Sequence, residues 1–464
     1  MELDATKTFL SPPLSDRERL PNGSGTSQSL TESGLSRRAG TRAERGKRLK
    51  GDPLVNGYSA TRATGARIGL EPCPPRRAGT RDVVFTFITE TLADSCRREF
   101  CFLADQALLA LSRAEDRIGR IIVADAWRWA PGVALRSLRA RGSGNAVGDR
   151  VTLVRPAQLR RRDPTAVPAL QRSYWRYDSV LERHVRRSGM DSPAVVTFNP
   201  FVAAFCPMRW ASGVTYFAQD DCAAYPPDAP WWPAYRKAYS VLRERGTRII
   251  CASDELAVRI ADGGPAVVIP NGLNLEEWRQ PSPAPTTFSG LIRPIVTYVG
   301  TIDERLDTGL VAKVADHPSI GSIALIGPCE DSVLEGKLRS IPKVALCGPM
   351  ARRDLVGALL GSDACIIPHV VGGSLHGRGQ QKLYEYLAAG KPVATTELPP
   401  VTGISERVIS VCPEDFVGAV QAALDQPRQD ERDRQQFVRS NSWETRHEHT
   451  IRVMLAEDTN WWTV

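Results

Sequence analysis

The run QQKLYEYLAAGKPVATTELPP, Gln380 to Pro400, decides how the rest of the chain is read. Leu383, Leu387 and Ala388 recur at helical spacing, Gly390 falls where a helix hands over to a left-handed residue, and Pro392 stops the helix continuing. Val393 to Thr396 then reads as a buried strand. Immediately upstream lie Gly372, Gly373, Gly377 and Gly379. A glycine-rich loop feeding a helix N-terminus offers free backbone N–H groups, little bulk and a favourable dipole, which together suit a phosphate-bearing ligand. Lys382 sits in the first turn, where a cation opposes the dipole unless an anion lies nearby. Glu385, three residues on, shares its helical face and carries a carboxylate able to accept two sugar hydroxyls. The alternative is a solvated ion pair on an ordinary helix.

The strand-then-helix pattern extends outward from this run in both directions. Towards the C-terminal half, strands are expected at 294–300 (PIVTYVG), 322–327, 344–347, 364–368, 393–396 and 408–411. The helices between them are expected from Asp303 to Ala315 and over 332–338, 352–360 and 416–424. Earlier in the chain, strands are expected at 83–88, 120–124, 151–154, 194–198, 214–217, 248–251 and 266–269. One long amphipathic stretch covers 92–113, and helices cover 133–140, 167–187, 232–245 and 254–260, the last capped by Ser253. Such alternation predicts an α/β fold of two Rossmann-like, doubly wound domains facing a cleft. The repetition stops between Arg279 and Arg293, after the turn signal Asn271-Gly272. The expected division is a disordered basic leader over 1–80, a first domain over 81–285, a second over 286–426, and a helical segment over 427–464 that crosses back to the first domain.

Composition narrows the function classes. No apolar run among the 464 residues approaches the roughly 20 needed to span a bilayer, and the N-terminus has no apolar signal region, so a cytoplasmic location is expected. The basic leader and the terminal Trp461 and Trp462 leave peripheral contact with the inner face of the membrane open. Ten cysteines contain no CxxC pair, which argues against a disulfide framework or a cysteine zinc site. Residues 1–80 hold 14 Lys and Arg against 8 Asp and Glu, so most of the formal charge of +8 belongs to the leader, and no nucleic-acid partner is expected. The basic triplet Arg160, Arg161 and Arg162 reads as a solvated turn, with contact to anionic lipid or substrate phosphate as the alternative. No G-x-G-x-x-G follows a strand, no G-K-[ST] follows a glycine loop, and no H-E-x-x-H is present, so nicotinamide, flavin, an ATPase loop and a metal site are all poorly supported. His369 and His376 flank the glycine loop and read as surface residues, with a hydrogen bond to phosphate as the alternative.

The candidate chemistry gathers at strand ends. In the second domain these are Gly300-Thr301 with Arg305 beyond, Gly327-Pro328, and the Gly379 loop with Lys382 and Glu385. Arg305 has the fork geometry for a pyrophosphate, and Arg305 with Lys382 would neutralise charge developing on a leaving phosphate, which is electrostatic catalysis. In the first domain, Thr89, Glu90, Asn199, Asp220 and Asp221 lie at strand ends, which in an open parallel sheet face the ligand crevice. The adjacent pair Asp220 and Asp221 suits general-base or hydroxyl-binding work, and equally suits capping of the next helix.

At YVGTIDERLD (298–307), ALIGP (324–328), CGPMARRDLVGALLGSDACIIP (347–368) and KLYEYLAAGKPVATTELP (382–399), the chain resembles GT-B fold glycosyltransferases. The group is glycosyltransferase family 4 together with teichuronic-acid-biosynthesis-like enzymes. DVVFTFITETLADSCRREF (82–100) and VTYFAQDDCAAYPP (214–227) extend the resemblance over about residues 82–425. It implies transfer of a sugar from a nucleoside diphosphate sugar to a glycan or glycolipid acceptor of the cell envelope, usually with retention and with no required metal or cofactor. By the same resemblance Glu385 binds the ribose, Arg305 and Lys382 hold the diphosphate, and the loops at Thr89-Glu90 and Asn199 face the acceptor. The sequence departs from the group at Gly377, where many members carry a glutamate, at Gln380, where a proline often precedes the Lys-Leu-Tyr-Glu run, and at Asn199, where some carry histidine. A sugar-nucleotide epimerase of similar architecture is the runner-up, distinguished by changing a nucleotide sugar with no acceptor present. A non-catalytic interaction protein is third, and an oxidoreductase is least supported.

Overall fold

The computed structural model describes residues 79–130, 148–279, 282–371, 381–397, 404–457 and 460–463. The expected helix at 133–140 and the glycines at 372, 373, 377 and 379, with His376, lie outside them, as does the leader up to residue 78. Within the described residues the first run of strands is β1 (Arg81–Thr86), β2 (Ile118–Ala124), β3 (Arg128–Trp129), β4 (Val151–Val154), β5 (Ala157–Gln158), β6 (Ala194–Thr197), β7 (Gly213–Ala218), β8 (Arg248–Cys251) and β9 (Val267–Val268). The second run is β10 (Ile295–Val299), β11 (Ser322–Ile326), β12 (Val344–Gly348), β13 (Ala364–Ile367), β14 (Val393–Thr396) and β15 (Val408–Val411). The pairings are parallel, so helices must return the chain across the sheet faces and bury both of them. That explains why the strands are unbroken apolar runs. Val83, Val84 and Phe85 of β1 and Ile121, Ile122 and Val123 of β2 are all fully buried.

The order β4-β2-β1-β6-β7-β8-β9 makes one sheet and β12-β11-β10-β13-β14-β15 the other, with β3 and β5 forming a separate two-stranded ribbon. Each large sheet winds outward in both directions from its first strand. The strand order therefore reverses between β1 and β6 in one and between β10 and β13 in the other. At such a reversal the flanking loops diverge and leave a crevice beyond the carboxyl ends of the strands. Topology alone thus points to residues 87–90 and 198–199 in the first domain, and to 300–301 and 368–369 in the second.

Two expectations need correction. The amphipathic stretch at 92–113 is two helices, Leu92–Arg97 and Leu103–Arg113, because Glu99 and Phe100 take positive φ between them. Asp105 enforces the break, accepting from the Phe102 N–H at 3.1 Å and from Arg98 Nε and Nη2 at 2.6 Å each. The helix expected from Asp303 starts instead at Thr308. Asp307 is the residue that caps it, accepting from Gly309 N and Leu310 N at 2.9 and 3.0 Å, which frees 303–307 as a loop. Trp461, at the end of the segment expected to cross back, is buried among first-domain core residues.

The C-terminal residues form two helices, Glu431–Ser440 and Trp443–Leu455. Between them the chain pairs with the connection from β9. Leu273 N donates to Asn441 O and Trp443 N to Leu273 O, both at 2.9 Å. The Trp443–Leu455 helix then packs on the Leu103–Arg113 helix and the first sheet, and Arg117 meets Glu448 through two hydrogen bonds of 2.9 and 2.8 Å. Trp443 is 5% exposed and stacked on His447 at 5.2 Å, and a Cβ on Gly272 would stand 2.7 Å from its indole. Removing a tryptophan so enclosed costs the buried area plus an unfilled cavity. Trp443→Ala is accordingly expected to lower unfolding free energy by about 3–5 kcal/mol, read as an earlier denaturant midpoint with an unchanged slope.

Candidate functional site

The second-domain crevice is built on two glycines. Gly300 follows β10 with φ of +144° and Gly327 follows β11 with φ of +146°. A Cβ on Gly327 would lie 2.0 Å from Gly300 O, and one on Gly300 would lie 3.0 Å from Lys382 Nζ and 3.2 Å from Tyr298 Oη. Neither position tolerates a side chain, and the reward for leaving both bare is that Lys382 reaches the end of β10.

Lys382, on the Gln381–Ala388 helix, places Nζ 3.3 Å from Tyr298 Oη and 3.3 Å from His369 Nε2, with the ammonium 4.5 Å from the centre of the Tyr298 ring. Tyr298 Oη is itself 3.2 Å from His369 Nε2 and donates to Thr301 O at 3.2 Å. His369 is 7% exposed, so it is an interior support beneath Lys382 rather than the surface residue expected. Burial, reinforced by the cations Lys382 and Arg305, pushes its imidazolium down to about 3 and leaves the ring neutral. Burial and the Arg305 guanidinium push Lys382 down to about 7. Among the described residues Lys382 has no ion-pair partner, and its neighbours are a ring face, a phenol and a neutral imidazole.

Arg305 stands in the loop that the displaced helix start leaves free. Asp303 holds it tightly: Nε donates to both carboxylate oxygens at 2.7 and 3.0 Å, and Nη2 donates to Oδ2 at 2.6 Å. The expected pair of cations, Arg305 and Lys382, is thus brought within electrostatic reach, with Arg305 oriented and partly neutralised by Asp303.

Glu385 is 5% exposed and already engaged. Its Oε1 accepts from Arg352 Nη1 at 2.7 Å and from Gln381 Nε2 at 3.5 Å. Arg352 turns its other edge to Glu277, with Nη2 and Nε 2.7 and 3.3 Å from Oε2. Sequence reading missed both Arg352 and Glu277. A signal was present for the arginine, which opens the Arg352–Gly361 helix and opposes its dipole as Lys382 does on its own helix. From the first domain, the loop carrying Cys101 comes within electrostatic reach of Arg352 and Glu385. Among the described residues, no three His, Cys, Asp or Glu side chains gather as a metal-holding group.

On the first-domain side the expected residues separate. Asn199 sits at the β1/β6 reversal, where Oδ1 caps Phe201 N and Val202 N at 2.9 and 3.2 Å and Nδ2 donates to Ile88 O at 2.8 Å. Its side chain fixes the crevice floor. Thr89 and Asn199 line a cavity of about 150 Å³ together with Trp127, Arg128, Asp163 and Tyr174. Glu90 does not line the cavity and accepts from Thr89 N at 3.0 Å. Asp220 and Asp221 follow β7 and do not line the cavity. Asp221 accepts from Ala223 N at 2.9 Å within a turn and caps no helix, the next one being entered through Tyr225 without a side-chain cap. Asp163, which sequence reading passed over, accepts from Gln158 Nε2 at 3.1 Å and Tyr174 Oη at 3.0 Å, and burial raises its carboxyl above the usual range.

Arg352 between two carboxylates makes a direct prediction. Arg352→Met strands a buried Glu385 charge and is expected to cost about 3–5 kcal/mol in chemical denaturation. Adding Glu385→Gln should restore more than half of that loss, whereas additive losses would show that the pair is not coupled.

No family model matches the chain. Among curated proteins it is 26% identical over 197 residues to the Bacillus subtilis (strain 168) "Putative teichuronic acid biosynthesis glycosyltransferase TuaH", across 39% of this chain and 50% of that protein, so the match spans half the relative's length. Among solved structures it is similar to sucrose-phosphate synthase from Thermosynechococcus elongatus, at 14% identity and TM-score 0.57, over 80% of this chain and 97% of that one. It is likewise similar to the UDP-forming α,α-trehalose-phosphate synthase from Burkholderia vietnamiensis, at 13% identity and TM-score 0.54, over 82% and 98%. A third is the E. coli trehalose-6-phosphate structure bound with UDP-2-fluoro glucose, at 12% identity and TM-score 0.55, over 82% and 99%. Two α/β domains with parallel sheets facing a cleft, superposing on these structures along most of the chain, give this protein the GT-B fold.

Proposed function

We propose that the protein is a nucleotide-sugar-dependent glycosyltransferase, with the donor held in the second domain and the acceptor in the first. The observation that carries this reading is Lys382, an ammonium lodged at the β10/β13 reversal against Tyr298 and His369 and lacking a carboxylate partner among the described residues. A diphosphate supplies what the site lacks. Gly300, Thr301 and Gly327 leave the approach open to phosphate oxygens, Arg305 and Lys382 meet them, and Glu385 reaches the ribose while sharing its charge with Arg352; Gly379 is kept as a donor-binding residue on its sequence alone.

Chemically, the work is electrostatic. As the bond from sugar to phosphate breaks, negative charge grows on the leaving diphosphate, and preorganised cations in a site of low polarity stabilise that charge more than they stabilise the ground state. Lys382, pushed down to about 7 in the free protein, is about half protonated at neutral pH and takes up the remaining half proton when an anion arrives. The acceptor sugar lies in the cavity beyond β1 and β6, where Trp127 and Tyr174 offer aromatic faces and Asp163 and Thr89 offer polar groups. We place the leaving phosphate and the attacking hydroxyl on the same side of the donor sugar, giving retention. The likeness to TuaH supports a cell-envelope polysaccharide or glycolipid acceptor on the cytoplasmic side, and the likeness to UDP-forming synthases supports UDP as the leaving nucleotide. For the domains we adopt the limits 81–285 and 286–426, with 427–464 returning to the first.

Calorimetry with UDP, GDP and their sugars tests the reading, and no binding by folded protein would end it. Lys382→Gln is expected to lower kcat/KM by about a hundredfold or more without loss of stability, since it removes a buried cation. In the wild type, UDP binds the protonated lysine, so affinity should be full below pH 7 and fall about tenfold per pH unit above it. Binding by Lys382→Gln should lack that fall.

A further inference from the structure

We propose that the acceptor is a glycan of at least two linked sugars, and that Trp129 is the platform for the second ring. The inference rests on the proposed reading of the first-domain cavity as the acceptor site. That cavity, about 150 Å³, falls well short of the roughly 300 Å³ at which pockets begin to enclose a drug-sized ligand. It admits one sugar ring. Any further ring of the acceptor must lie outside it, on whatever borders the opening.

The border is the two-stranded ribbon that stands apart from both large sheets. Its first strand continues the cavity wall: Trp127 and Arg128 line the cavity, and Trp129 is the next residue. The register fixes which way the Trp129 indole is turned. Arg128 pairs with Ala157 and Trp129 with Gln158, and residues in register on neighbouring strands project to the same face. Gln158 Nε2 donates to Asp163 Oδ1 at 3.1 Å, and Asp163 lines the cavity. Ser173 Oγ, on the Val167–Arg187 helix, donates to Gln158 Oε1 at 3.5 Å. Trp129 is therefore on the face of the ribbon from which Gln158 reaches the cavity wall. It is 44% exposed, so the ribbon holds the indole while leaving much of it open. Among the described residues its Nε1–H makes no hydrogen bond and its ring stacks on no other. An indole face carries negative charge density and takes the C–H face of a pyranose, and its N–H donates to a ring hydroxyl. A lone exposed tryptophan needs no explanation in itself. One set on a hydrogen-bonded ribbon, at the edge of a cavity that holds a single ring, does.

The test is an array of mono-, di- and tetrasaccharides of glucose, galactose, N-acetylglucosamine and glucuronic acid, probed with the full chain. Sugars that bind are expected to gain about tenfold in affinity from one ring to two, the scale of one aromatic contact. Trp129→Ala should abolish that gain and leave monosaccharide binding unchanged, and Trp129→Phe should keep most of it. UDP affinity by calorimetry should stay at the wild-type level in both variants, which also shows them folded. Wild-type protein that binds UDP but gains nothing from a second ring would overturn this proposal alone. Failure to bind UDP would overturn the glycosyltransferase reading and leave the glycan subsite to stand or fall on the array. A disaccharide gain that survives Trp129→Ala, or no binding to any sugar on the array, would overturn the subsite. So would Trp129-dependent binding to phosphatidylglycerol vesicles with no disaccharide gain, which would make the indole a lipid contact.

Discussion

An ammonium held out of bulk water and, among the described residues, without an ion-pair partner is the constraint on which the candidate site depends. Lys382 reaches its position only because Gly300 and Gly327 have no side chains at two back-to-back turns of positive φ. It stays there against a tyrosine ring and a neutral imidazole, which polarise towards a cation but do not neutralise it. The cost is visible in the lysine's depressed proton affinity, and an incoming anion relieves it. On the proposed function, binding affinity and charge stabilisation come from the same unfavourable arrangement.

The surrounding residues restrain that charge without cancelling it. Asp303 grips Arg305 along one edge and sets its orientation, and Arg352 spans Glu277 and Glu385. The second of these networks reaches the connection between the domains. Glu277 lies on the Leu275–Arg279 helix, and Gln381 Nε2 donates to Gly272 O at 3.0 Å, next to the Leu273–Trp443 pairing where the chain crosses back. These hydrogen bonds tie the helix that carries Lys382 and Glu385 to the segment in which the chain passes between the two sheets.

Much of the architecture was legible because a parallel sheet covered on both faces leaves a plain record, unbroken apolar runs at intervals, and strand limits fell within about two residues of their sequence positions. Lys382 was legible for a related reason, as a cation in a first helical turn needs an explanation that local sequence can pose. Where reading failed, several groups competed for one local role. Asp303 and Asp307 are both plausible caps, and the choice of the latter moved Arg305 from a helix into a loop. The Asp105 interactions that split the 92–113 stretch were hidden by an apolar period that continues through the break. The burial of His369, the Arg352 bridge and the Asp163 cavity depend on residues distant along the chain, as with Glu277 and Arg352, 75 positions apart. No local pattern encodes such meetings.

The most direct test of the account is an NMR titration of Lys382 through its side-chain Cε and Nζ resonances, assigned with Lys382→Gln, in the absence and presence of saturating UDP. The account predicts a midpoint near pH 7 in the free protein and a rise of at least about two pH units when the nucleotide binds. A lysine that titrates near its ordinary value in the free protein, or whose midpoint UDP leaves in place, would contradict it.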